Sequence, residues 1–199
     1  MKHETFIFIG RSGCGKGTQA KLLEKYITNK DSSITFFHLE SGQRFRDFIR
    51  EKGYTNDLAQ EINKEGRRQP DFLAVWMWSH LFIENLKGNE HVLIDGTPRS
   101  LPEAQVLHTA FQFYKREKPF VINLEVSREW SERHLLARGR TDDVKDDIKN
   151  RLDWFEKDVV PAVHYYEANP DYRFVKIDGE QPIEKVHEDL VAAIARLGV

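Results

Sequence analysis

The sequence is poor in most of the features that assign a chain to a specialised class. It has one cysteine, Cys14, which excludes an internal disulfide and a cysteine-based zinc site and fits a reducing compartment. Its 30 Lys and Arg against 32 Asp and Glu leave a formal net charge of −2, without the basic surplus that a general nucleic-acid binder needs. No apolar run approaches the roughly 20 residues of a membrane helix. The opening run TFIFIG is too short even for a secretion signal, so the expected compartment is the cytoplasm. There is no fixed-period repeat or low-complexity tract, and the eight histidines are scattered without metal-ligand spacing. What remains, 40% hydrophobic and 31% charged over 199 residues, describes a single soluble domain with a core of its own.

Short β-branched runs alternate with longer stretches of helical period. TFIFI (5–9), ITFFHL (34–39), HVLID (91–95), FVINLEV (120–126) and YRFVKID (172–178) read as strands buried on both faces. Helical patterns cover 15–28, 42–52, 57–66, 70–87, 100–116, 127–138, 142–168 with a break near Pro161, and 182–197. This alternation predicts an α/β fold, a parallel sheet with helices on both faces and ligands at the carboxyl ends of its strands. Residues 41–71 hold two short helical pieces, too much for one crossover, and read as a small insertion over that edge.

GRSGCGKGTQ (10–19) follows the first strand and opens a helix, the setting of a phosphate-binding loop. Glycines let backbone N–H groups converge on phosphate oxygens, and the helix N-terminus adds its positive end. Lys16 would reach the β- and γ-phosphates of a nucleotide, while Cys14 reads as a small filler whose N–H faces the anion. Asp95, at the end of LIDG, would hold Mg²⁺ through water. The residue after Lys16 is Gly17, where the general pattern has Ser or Thr.

That departure has a family explanation. GxxGxGKGTQ, SGxxxR, DGxPR and a late RxDD…RL segment, in this order and spacing, resemble adenylate kinase and its nucleoside monophosphate kinase relatives, in which GKGT is the usual loop. The resemblance covers nearly the whole chain. It implies one P-loop kinase domain over residues 1–199, with a five-stranded core, an NMP-binding insertion at 41–71 and a lid reduced to 138–141. The implied activity is transfer of a phosphoryl group from Mg-ATP to a nucleoside monophosphate. On the same match Gly13, Cys14, Gly15, Lys16, Gly17 and Thr18 would hold the ATP phosphates, and a backbone carbonyl at Gln181 would meet the adenine. Ser41, Arg46, Gly96 and Arg99 would contact the acceptor, with Asn63 and Gln69 walling its base. Lys16, Arg99, Arg138, Arg140 and Arg151 would clamp the reacting phosphoryl groups. Planar guanidinium forks suit that task, because the reaction gathers negative charge around one phosphorus.

Three positions depart from the family. The lid arginines Arg138 and Arg140 are separated by Gly139 alone, leaving no room for zinc ligands, and His134 stands where a further arginine is usual. DGTPR carries Thr97 in place of an aromatic residue. Glu103 replaces the glutamine that reads the acceptor base. Adenine presents a donor beside an acceptor and suits an amide, whereas an ionised carboxylate only accepts. AMP is the first acceptor expected, with a GMP- or pyrimidine-directed kinase as the alternative and Glu103 the discriminating residue. Gln105 is the reader if the helix is shifted, and Glu103 merely facing solvent is a separate reading. A nucleotide sensor or scaffold without turnover is the reading from another class. Asp142 and Asp143 would orient the lid arginines, and the resemblance suggests a monomer with no membrane or nucleic-acid partner.

Overall fold

A computed structural model describes residues 3–139 and 145–198. Arg140, Asp142, Asp143 and half of the lid at 138–141 lie outside them. Five strands, β1 (Thr5–Gly10), β2 (Phe36–Glu40), β3 (His91–Asp95), β4 (Phe120–Glu125) and β5 (Arg173–Asp178), form one parallel sheet in the order β2-β3-β1-β4-β5. From β1 the chain runs out to the edge strand β2, returns to place β3 between the two, then crosses past β1 to β4 and β5. The direction reverses between β1 and β3, and the crevice at their carboxyl ends is where such sheets take ligands.

Alternation along the central strands divides the core into two layers. Phe6 and Phe8 of β1, Leu93 of β3 and Phe120, Ile122 and Leu124 of β4 face α1 (Lys16–Lys30) and α9 (Ile183–Arg196). Ile7 and Ile9, Val92 and Ile94, and Val121 face the other way, toward α4 (Asp71–Asn85), α5 (Leu101–Phe113) and α8 (Val160–Ala168). Two expectations need correction here. The outer strands β2 and β5 are not buried on both faces, because each lies at a sheet edge; Lys176 and Asp178 of β5 are exposed. Nor is the helix broken at Pro161. A π-helical turn over Phe155–Val159 joins α7 (Lys145–Trp154) to α8, and the Val160 N–H reaches back five residues to the Phe155 carbonyl. The widened turn accommodates a ring that can neither donate to residue 157 nor pack tightly against it.

Between β2 and α4 lie α2 (Ser41–Phe48) and α3 (Tyr54–Lys64). Phe45 and Ala59 from these helices join Leu73, Ala74 and Met77 of α4 in a small core of their own. α6 (Arg128–Arg138) follows β4, capped by the Ser127 hydroxyl, which accepts from the Trp130 N–H.

The amino ends of the strands carry a polar network far from this crevice. The buried His91 ring accepts the Glu4 N–H at Nδ1 (2.8 Å). Burial, then the charges of His3 and Arg116, lower its pKa from 6.5 to about 4. The unfolded chain therefore binds a proton that the folded one refuses between those values, so stability is full above about pH 6.5 and is lost as the pH falls toward 4. The loss amounts to up to about 2 kcal/mol after allowing for solvent screening. Urea unfolding at pH 7 and 4.5 should show the gap between wild type and His91→Asn narrowing at the lower pH. A gap that stays constant would remove His91 from the acid response.

Candidate active site

Residues 10–15 turn from β1 into α1 with φ of +83° at Gly13 and +93° at Gly15, a left-handed geometry that favours glycine. The turn delivers the first residues of α1 to one cavity of about 780 Å³. The Lys16 ammonium donates to the Gly10 and Arg11 carbonyls (both 2.8 Å) and approaches Cys14 Sγ at 3.5 Å. It thereby spans the loop from within. Cys14 is buried, as a filler should be. Its N–H, expected to face an anion, instead donates to the Arg11 carbonyl (3.2 Å), because residues 11–14 close a turn of their own.

Asp95 ends β3 beside this loop. A Cβ on Gly17 would lie 3.1 Å from Asp95 Oδ2, a tight contact that would push the carboxylate back by a few tenths of an ångström, so glycine keeps the helix start close against it. Burial pushes the Asp95 carboxyl up, against the charges of Lys16, His38 and Arg99. Among the described residues no group of three or more His, Cys, Asp or Glu side chains could hold a metal. Asp95 and Thr18, both on the cavity wall, are nevertheless side chains with the hard oxygens that suit Mg²⁺.

After Asp95 the chain makes the turn DGTPR, with φ of +85° at Gly96 and a cis Thr97–Pro98 peptide. A side chain on Gly96 would meet Ser41 Oγ at 2.8 Å. Ser41, at the start of α2, donates to the Asp95 carbonyl (3.3 Å) and so joins the two strand ends. Arg99 points into the cavity and is fixed at one edge by donation from Nε to the Gly96 carbonyl (2.7 Å). Arg46 of α2 converges on it: a Cβ on Gly42 would lie 3.4 Å from Arg99 Nη2 and 3.5 Å from Arg46 Nη1. Lys16, Arg46, Arg99, Arg138 and Arg151 all line the one cavity, Arg138 from the last turn of α6 and Arg151 from α7. Such a ring of cations can hold two polyanions end to end.

His134, Asn63, Gln69 and Gln181 also reach the cavity wall. His134 stacks on Trp130 (centroids 3.4 Å apart, 17° between planes), and its Nδ1 lies 2.8 Å from the Trp130 carbonyl. The Gln181 amide donates to the Asp178 carbonyl and to Asp189 (both 3.2 Å). Gln69 donates to the Ala59 carbonyl (2.8 Å), and its own buried Oε1 has no partner among the described residues.

Glu103 does not face solvent, which corrects one of the readings for it. It is 0% exposed in the first turn of α5, and it is not among the cavity-lining residues. Its Oε2 accepts the Arg99 N–H (2.5 Å), while Oε1 has no partner among the described residues. Burial pushes its carboxyl up, opposed by that hydrogen bond and by the charges of Arg99 and Arg68. Sequence reading missed Trp130, Trp154 and Arg67 on the cavity wall. The first two sit one helical turn from His134 and Arg151, the only signal that could have found them.

Comparison with known proteins agrees with this geometry. The sequence model of the Adenylate kinase family matches residues 8–170. UMP-CMP kinase 3 of Arabidopsis thaliana is 34% identical over 196 residues, covering 96% of this chain and 89% of that protein. UMP-CMP kinase 1 of Oryza sativa subsp. japonica is 31% identical over 200 residues, covering 98% and 76%. The adenylate kinase of Corynebacterium urealyticum is 28% identical over 188 residues, covering 94% and 97%. With a glycine loop and a DGxPR arginine facing each other across the crevice of a five-stranded parallel sheet, the chain belongs to the adenylate kinase family of nucleoside monophosphate kinases.

Proposed function

We propose that the protein transfers the γ-phosphoryl group of Mg-ATP to AMP, giving two ADP. The observation that carries this reading is the pairing across one cavity of the Gly13–Thr18 loop with Arg46 and Arg99. The loop and Lys16 hold the donor phosphates, the Gln181 region and His134 meet the donor base, and Arg46, Arg99 and Ser41 hold the acceptor phosphate. Mg²⁺ bound with ATP neutralises charge on the β- and γ-phosphates, and Asp95 holds it through water. Arg138 and Arg151, with Arg140 outside the described residues, stabilise the charge spreading over the transferred group. Residues 41–71 close over the acceptor and exclude water that would otherwise hydrolyse the donor. On this reading the enzyme is cytoplasmic and monomeric, with its one cysteine kept reduced.

Glu103 does not line the cavity in this structure, so on this reading it meets the acceptor base only when monophosphate binding brings its carboxyl to the wall. Burial favours its neutral form, in which Oε1 carries a proton and donates as a glutamine amide would, matching adenine N1. The ionised form only accepts, and matches the N–H groups of guanine or the amino group of cytosine. The second reading, a GMP- or CMP-directed kinase, is favoured by that ionised form and by the unpartnered Gln69 Oε1. Steady-state phosphorylation of AMP, GMP, CMP and UMP at pH 6 and 8 separates them. AMP should be preferred, more so at the lower pH. Glu103→Gln should raise the AMP-to-GMP ratio at pH 8 by about 10-fold, the effect of one mispaired buried group, and abolish its pH dependence. A wild-type preference for GMP or CMP overturns AMP as the acceptor. No turnover with any acceptor overturns the proposed reaction.

A further inference from the structure

α7 brings more than Arg151 to the cavity. Asp147, Asn150 and Trp154 share its face toward the end of α3, where Glu65 and Gly66 turn the chain back to α4. Asn150 Nδ2 donates to the Glu65 carbonyl (2.8 Å) and Trp154 Nε1 to the Gly66 carbonyl (3.2 Å). Gly66 has φ of +62°, and a Cβ there would come within 2.7 Å of the Asp147 Cα, so the two backbones pack directly together. The same indole lies under Arg99, whose guanidinium carbon is 5.9 Å from the ring centroid. Half-buried, Trp154 lines both the main cavity and a small one of about 50 Å³ that it shares with Lys16, Arg99 and Phe155.

One side chain therefore touches the end of the acceptor segment, the arginine that meets the acceptor phosphate, and the cavity itself. Arg99 is held along one edge by the Gly96 carbonyl and by its own N–H on Glu103. The first bond anchors the Nε edge of the guanidinium and the second the backbone. The tilt of the plane about that edge depends on what lies against its face, and a guanidinium over an indole is attracted by the ring's negative face. We propose that Trp154 is a positioning residue for the nucleoside monophosphate: its ring sets the Arg99 guanidinium against the acceptor's phosphate, and its N–H ties the Glu65–Gly66 turn to the helix that carries Arg151. This rests on the nucleoside monophosphate kinase reading above. Its consequence is that the acceptor end of the cavity is braced by the same helix that supplies a cation to the transferred phosphoryl group.

The test uses Trp154→Leu, Trp154→Phe and Asn150→Ala in the full chain, with donor and acceptor KM measured separately and AMP binding measured by calorimetry without ATP. Trp154→Leu should raise the acceptor KM and Kd by about 10-fold and leave the KM for ATP within about twofold. Trp154→Phe, which keeps a ring under Arg99 and loses the N–H, should recover about half of that on a logarithmic scale. Asn150→Ala should raise the acceptor KM by about threefold at most. A purely structural role would move both KM values together, or neither. An acceptor KM and Kd unchanged in Trp154→Leu, or matched by an equal rise for ATP, overturns the proposal. Should Trp154→Leu not fold, the Phe variant decides alone by the same split. A wild type that binds AMP without turnover would sink the kinase reading and leave the binding arm to judge Trp154. A wild type that neither binds nor phosphorylates a monophosphate overturns both.

Discussion

Lys16→Ala should reduce phosphoryl transfer by about 10³-fold or more, the order associated with removing a preorganised charge from a transferring phosphoryl group. The ammonium sits inside the loop, donating to the Gly10 and Arg11 carbonyls at 2.8 Å, with its positive charge beside the half-buried Asp95 carboxyl. Alanine removes that charge and both hydrogen bonds. Its methyl leaves the helix start intact, and the glycine turns keep their backbone geometry. The variant should thus retain its circular dichroism and melt within a few degrees of wild type. A coupled assay for ADP formation gives the rate, and calorimetry with ADP reports whether the loop still holds a nucleotide. Turnover within tenfold of wild type would mean that the transferred phosphate does not lie at this loop. It would also shift the search for the reacting groups toward the arginines of α6 and α7.

The second large effect is on stability and arises at the opposite end of the sheet. Glu90 and Arg116 form an ion pair at 2.7 Å, with each side chain only 6% exposed. Arg116 also donates to the Glu90 carbonyl (2.7 Å), and Glu90 accepts the Lys87 and Gly88 N–H groups. Removing one partner leaves a buried charge uncompensated, which costs about 3–5 kcal/mol. For a domain of this size that corresponds to a fall in melting temperature of about 6–20 °C for Arg116→Met. The double variant Glu90→Leu/Arg116→Met should recover much of the loss, because a well-packed apolar pair no longer buries a charge. The specific activity of folded Arg116→Met at 25 °C should match wild type, since the pair lies at the amino end of β3 and the cavity at its carboxyl end. A melting temperature within 2 °C of wild type would show that water reaches the pair.

Legibility in the sequence differed between features for physical reasons. The central strands announced themselves because β-branched and aromatic runs buried on both faces leave an apolar signature in every residue. β2 and β5 carried similar runs, yet they lie at the edges, where part of each strand meets solvent. Edge position depends on strand order, which no local pattern encodes. The phosphate loop was readable because its glycines, its lysine and the helix that follows are neighbours in the chain. Arg46, Arg99, Arg138 and Arg151 were found only through family spacing, as single arginines among 30 Lys and Arg residues carry no signal of their own.

Glu103 shows where such reading stops. Its position in the motif raised the question of base preference, but its protonation depends on burial in the first turn of α5 and on the Arg99 N–H, and these were set by packing. Trp154 is a second case. In the sequence it is one aromatic residue midway along the helical stretch 142–168. Its partners Arg99 and Gly66 are 55 and 88 residues away, and the fold alone brings them to one indole. The sequence by itself determined the chemistry that a short stretch can hold: the loop after β1, the carboxylate and arginine flanking DGTP, and the alternation that makes a parallel sheet. The tertiary structure decided which distant side chains share a cavity, which carboxyl is buried, and which strands form the edges. Those properties belong to contacts between segments far apart in the chain, and periodicity and composition report only on neighbours.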